Sequence, residues 1–186
     1  MTDLEIFCRQ VRDRSRENRI ALEHLWPART VGAAIGLLRQ ELDSMVRVIL
    51  LLSTSDRTRR ASLISDAVAG REWRQPTGRG RITDAEMVKV ADSLHGWTRS
   101  VYQFGCAFIH LSSFHDYNSR DPLGFISVDE RAALLAHLRY YHGGLSEDHP
   151  TFHDIAQFVP RVFDKIASNL EHYVRELERD ADLPEE

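Results

Sequence analysis

At 186 residues and 21.4 kDa the chain has the length of one ordinary domain, enough to bury a full hydrophobic core without disulfide staples. Its 42% hydrophobic and 28% charged fractions exclude a disordered or fibrous chain, and a net charge of -4 excludes a globally basic nucleic-acid binder, so any such contact rests on a local patch. Two cysteines far apart, Cys8 and Cys106, exclude a disulfide framework and fit a reducing, cytoplasmic setting, and Met1–Glu5 lacks the basic and apolar regions of a signal peptide.

Thr2-x-x-Glu5 has the form of a capping box, and Leu4, Phe7, Val11, Leu22 and Leu25 recur at helical spacing up to Pro27, which predicts a first helix. Thr30 can cap a second, with its stripe through Ile35, Leu38, Leu42, Met45, Ile49 and Leu52. The charges Arg39, Glu41, Asp43 and Arg47 exclude a membrane span there and make it a core helix. Asp56 can cap a third helix that ends at Gly70. Residues 70–82 hold Arg71, Arg74, Arg79 and Arg81 among glycines and a proline, and read as an exposed, mobile loop.

A second capping box, Thr83-x-x-Glu86, opens a predicted helix of about 30 residues reaching His115. Its run Tyr102–Leu111 is apolar on nearly every side, so it reads as the central helix of the fold. Residues 117–122 break it, and Ser127-x-x-Glu130 caps a fifth helix that ends at Gly143-Gly144. The last helix runs from Phe152 to Leu177 with an expected kink at Pro160, and the acidic tail 179–186 is expected to fray. Without period-two alternation or a hairpin signal, residues 1–186 are expected to form one all-α domain. Its expected form is an antiparallel bundle of four long helices plus one or two short helices.

Arg99, Gln103, Cys106, His110, Ser113 and Tyr117 follow steps of four and three and form one polar seam on the predicted central helix. Buried there, the seam has to be satisfied by neighbouring helices, water or a ligand, which leaves a structural network and a functional site both open. His115 and Asp116 close the same helix, and Arg139 and His142 lie three residues apart at the end of the next. Metal ligation by His110, His115, His142, His149 and His153 is disfavoured by spacing: His110 to His115 and His137 to His142 are both i to i+5, and Pro150 interrupts the i to i+4 pair His149 and His153. The segment Arg57–Arg81 carries seven Arg against Asp66 and Glu72, a patch that can hold a phosphate backbone or simply be solvated.

The all-helical pattern, the Arg and His at helix ends and the run Arg139-Tyr140-Tyr141-His142 resemble the HEPN superfamily. Arg131 to His137 and Arg19 to His24 match that family's Arg-to-His spacing, which among 22 Arg and 9 His has no discriminating force. The resemblance implies a helical bundle, often a homodimer, and in many members a metal-independent endoribonuclease of a bacterial toxin-antitoxin or antiviral defence system. Its implied catalytic set is Arg139 and His142, then His110, His115 and Tyr117, with no cofactor, while Arg71, Arg74, Arg79 and Arg81 guide RNA. Other members of the superfamily are non-catalytic, so the alternative is a dimerising helical adaptor or an accessory subunit of a partner protein.

Overall fold

Thr2 closes its capping box with Glu5, and α1 runs Asp3–Leu25 in the computed structural model, which describes residues 1–145 and 149–183. A short connection leads into α2, Val31–Ser53, which is buried on almost every side from Ala34 to Leu52. It packs most extensively against the last long helix, α8 (Val159–Glu178), and then against α5 (Thr98–Ile109), α4 (Asp84–His95) and α1. The helix that the others surround is therefore α2, not the segment after Thr83. α3, Arg57–Val68, begins where the Asp56 carboxylate accepts from the amides of Thr58 and Arg59. The loop that follows is exposed at its arginines but pinned at Trp73, whose buried indole donates to the Leu63 carbonyl at 2.7 Å and lies under the Arg47 guanidinium.

The expected 30-residue helix is two helices of 12 residues each, α4 (Asp84–His95) and α5 (Thr98–Ile109). Gly96 ends α4 in the left-handed conformation at φ 67°, and the Asp92 carboxylate then accepts from the Thr98 hydroxyl and the Arg99 amide. Tertiary packing of Thr98, fully buried, overrides an apolar pattern that reads as continuous. Past α5 the chain makes two 3-10 turns, Ser113–Asp116 and Pro122–Gly124, before α6 (Val128–His142). The last predicted helix is likewise two, α7 (Phe152–Ala156) and α8 (Val159–Glu178). Pro160 sits in the first turn of α8, where a missing amide donor costs nothing, so it starts a helix instead of kinking one.

Polar pairs fix the directions. Glu41, fully buried on α2, accepts from Ser15 and from Asn18 at 2.9 Å, and Arg14 meets Asp43. Arg12 reaches Glu171 and Glu178, and Arg19 reaches Asp164. So α1 runs opposite to α2 and to α8, whereas α2 and α8 run the same way and finish together, with the Leu183 amide donating to the Leu52 carbonyl. The tail expected to fray docks at that end: Arg57 and the buried Arg60 hold Asp180 and Asp182. Residues 184–186 lie outside the described residues. Among the described residues the fold is all-helical with no named strand, and no helix is long and apolar enough to cross a membrane.

Candidate functional site

The side chains of Phe104, Phe108, Phe114 and Phe152 form an aromatic wall, with ring centroids 5.6 to 6.3 Å apart. On one side of it lies an open groove along the first turns of α2. Gly32, Ala33 and Gly36 form its floor, and Phe108, His115 and Tyr117 form one wall. On the other side of Tyr117 lies a second hollow, lined by Trp26, Arg29, Asn118, His153 and Gln157. A methyl group on Gly32 would lie 3.5 Å from the rings of both Phe108 and Tyr117, in ordinary van der Waals contact with this wall. Tyr117 is half-buried, tilted against Phe152 at 5.4 Å and edge-on to His153 at 6.5 Å.

The end of α2 in this groove is electrostatically incomplete. No side chain caps it, because the Thr30 hydroxyl is turned back to donate to the Leu25 carbonyl. Among the described residues the Ala34 amide finds Thr30, while no bond is recorded for the amides of Val31, Gly32 and Ala33. Helix N-termini of this kind favour anions, since the free amides and the macrodipole act together. Beside it Arg29 is held at φ 56°, a left-handed conformation that costs a side-chain-bearing residue about 1 kcal/mol or more. No family model matches the chain, and no match was found among curated proteins or solved structures. The functional reading therefore rests on this geometry.

The residues singled out in the sequence scatter. His115 and Tyr117 line the groove together, and the Ser112 amide donates to His115 Nδ1 at 3.3 Å, which leaves Nε2 to carry the proton. His110 is the exposed last residue of its turn, outside the groove lining. The rest of the polar seam is not buried as expected: Arg99, Gln103 and Ser113 are exposed, and only Cys106 and Tyr117 are partly covered. Leu111, the last residue of the run read as central and apolar, is 95% exposed because α5 has already ended.

His142 points the other way, into an apolar hollow behind the aromatic wall, where burial, then Lys165 and Arg161, lower its pKa. Arg139 stays exposed one turn before it, and the left-handed Gly144 packs so closely that an added methyl group would meet Arg139 Cα at 2.7 Å. One composite site of Arg139, His142, His110 and His115 does not form within the chain. Arg71 and Arg81 pair with Asp66 and Glu72, and Arg74 bridges to Arg81 in the loop that also exposes Arg79. That loop is anchored on Arg47, about 20 Å along α2 from the groove floor. Among the described residues no three His, Cys, Asp or Glu gather to hold a metal ion. Arg29, an exposed residue in a turn, gave no sequence signal beyond its neighbour Pro27, and His153 was visible only as a metal-ligand candidate.

Proposed function

We propose that the chain binds RNA through the α2 groove and cleaves it without a metal, as the HEPN resemblance implies, but with a different residue set from the one the sequence favours. The observation that carries this reading is the uncapped N-terminus of α2 beside Tyr117, with Arg29 and His153 lining the hollow on one side of that ring and His115 lining the groove on the other. The α2 amides and Arg29 receive a phosphate, and the Nε2–H of His115 donates to one of its oxygens. His153 is the base that takes the proton of the attacking 2'-hydroxyl, and the Tyr117 hydroxyl is the donor to the leaving oxygen. Trp26 offers a face on which an unpaired base stacks.

The test is cleavage of total RNA by purified protein in the presence of chelator. Cleavage should persist, and His153→Ala should slow it by about 100-fold or more, as loss of a general base does. Intact RNA at micromolar protein would sink the catalytic assignment. It would leave the dimerising adaptor, which the exposed Ile109 and Leu111 beside the groove favour and which sedimentation would show as a dimer.

A further inference from the structure

Trp26 follows the last turn of α1 and is half-buried, packed in part on the core, and it lines the same hollow as Tyr117. Two bonds close the turn after it, from the Arg29 amide to the Trp26 carbonyl at 3.0 Å and from the Thr30 amide to the Leu25 carbonyl at 3.2 Å. One rigid turn therefore carries both an indole and a guanidinium on the rim of the hollow. From α7 come His153 and Gln157, and Gln157 is still helical at φ -58° and ψ -20°. At a separation of i to i+4 the two stand on one helix face, about 6 Å apart. Both are exposed and both line the hollow. Its volume is about 630 Å³, inside the range of roughly 300–1,000 Å³ usual for small-molecule sites.

Among the described residues the Gln157 carboxamide bonds to no other group of the chain, so it is available to a ligand without breaking an internal bond. A carboxamide offers a donor and an acceptor side by side, and adenine presents the complement, its N6 amino group beside N7. Guanine shows two acceptors on that edge and suits an arginine fork instead, and Arg29 is engaged on the phosphate in the RNA-cleaving reading. The uncovered part of an indole is a stacking platform, and a two-ring base covers more of it than a pyrimidine does. His153 decides which nucleotide is read. As the base that takes the 2'-hydroxyl proton it lies at the ribose on the 5' side of the broken bond, and Gln157 on the same face meets the base of that ribose.

We propose that Gln157 selects an unpaired adenine stacked on Trp26, so that the chain cuts RNA on the 3' side of adenosine. In that step the O2'–P bond forms and the P–O5' bond breaks, while His153 takes the proton of O2' and the Tyr117 hydroxyl gives one to O5'. The proposal rests on the RNA-cleaving reading for the position of the cut and on the hollow alone for recognition of the base.

The experiment has a binding arm and a cleavage arm. In calorimetric titration of the full chain, adenosine 3'-monophosphate should bind at least about tenfold more tightly than the guanosine, cytidine or uridine nucleotide, the worth of one bidentate base contact. Gln157→Leu, at an exposed position, should bring all of them within about twofold of one another, and Trp26→Ala should weaken all of them by about tenfold. Equal binding of the nucleotides by the native chain, binding of none, or an adenosine preference that survives Gln157→Leu overturns the proposal. In the cleavage arm, fragments of total RNA produced in chelator should end in adenosine. Fragments with no common terminal base refute the proposal and leave the cleavage reading in place. Intact RNA with the adenosine preference retained refutes cleavage and leaves the adenine site.

Discussion

Arg60 and Arg57 belong to one basic run in the sequence and hold the same two acids, yet their environments set them far apart. The Arg60 side chain is 4% exposed and donates to the carbonyls of Leu52, Thr54 and Ala181 as well as to Asp180 and Asp182. Arg57 meets those acids at the surface, 42% exposed. Removing a buried guanidinium strands the carbonyls at the end of α2, so Arg60→Leu should lower unfolding free energy by about 2–4 kcal/mol. Arg57→Leu should cost under about 1 kcal/mol, the usual worth of an exposed ion pair. Urea denaturation of both variants is the check, and similar midpoints for the two would show that Arg60 is not the anchor of the tail. At this scale the sequence was misleading for a physical reason: a run of arginines shows charge but not depth. Two of the seven arginines counted as a phosphate surface are spent on the chain's own acidic end.

At the scale of elements, the boundaries that rest on local chemistry were legible. The capping boxes at Thr2, Thr83 and Ser127 all form, as does the Asp56 cap. The breaks at Gly96 and before Pro160 were not, because an apolar stripe carries across each of them and only the tertiary placement of Trp97, Thr98 and Phe158 interrupts it. The site suffered from that error. Reading α4 and α5 as one helix placed His110 and Ser113 on a buried seam, whereas α5 ends at Ile109 and leaves both in solvent. The contact between α2 and α5 depends on Gly105, where a methyl group would lie 2.9 Å from Arg39 Cβ. Gly105→Ala gains about 1 kcal/mol of helix propensity. That gain is smaller than the cost of driving two helices apart at a Cβ that cannot swing away, so the variant should be less stable by about 1–2 kcal/mol. Gly36→Ala, with open space around it, should be more stable by about 0.5–1 kcal/mol. Thermal unfolding of the pair tests the packing, and a stabilised Gly105→Ala would refute it.

The aromatic wall separates the groove at the start of α2 from the apolar hollow that Lys165 lines. The groove and the hollow across Tyr117 from it draw on residues from the α1–α2 turn, α2, the turn after α5 and α7, a convergence that no single stretch of sequence displays. The apolar hollow was invisible for another reason, since a lone lysine on an amphipathic helix reads as a solvated residue. Its titratable neighbours nevertheless dictate how stability follows pH. Around Lys165 stand His95, bonded to the Tyr173 hydroxyl at 2.8 Å, then His137, His142, Tyr141 and Arg161. Burial, and then Lys165, lower His95 and His142 below their ordinary 6.5, so as pH falls through 6.5 the unfolded chain takes up protons that the folded one resists. Stability is lost on that side. Lys165 is lowered from 10.5 to about 8, so between those values the unfolded chain again binds the extra proton, and stability rises with pH. The melting temperature should therefore climb in two steps, one near pH 6 and one above pH 8, with a plateau between. Tyr102 and Tyr173, raised by burial, oppose the second step only near pH 10, which puts the useful limit of the scan at about pH 9.5. Lys165→Met should erase the upper step and shrink the lower one, because the same ammonium group depresses both histidines. It should also raise the melting temperature at pH 7, where Lys165 Nζ has no hydrogen-bond partner among the described residues, by about 2–4 °C for each kcal/mol relieved. Superimposable pH profiles for the native chain and Lys165→Met would show that the ammonium group is solvated in the folded chain.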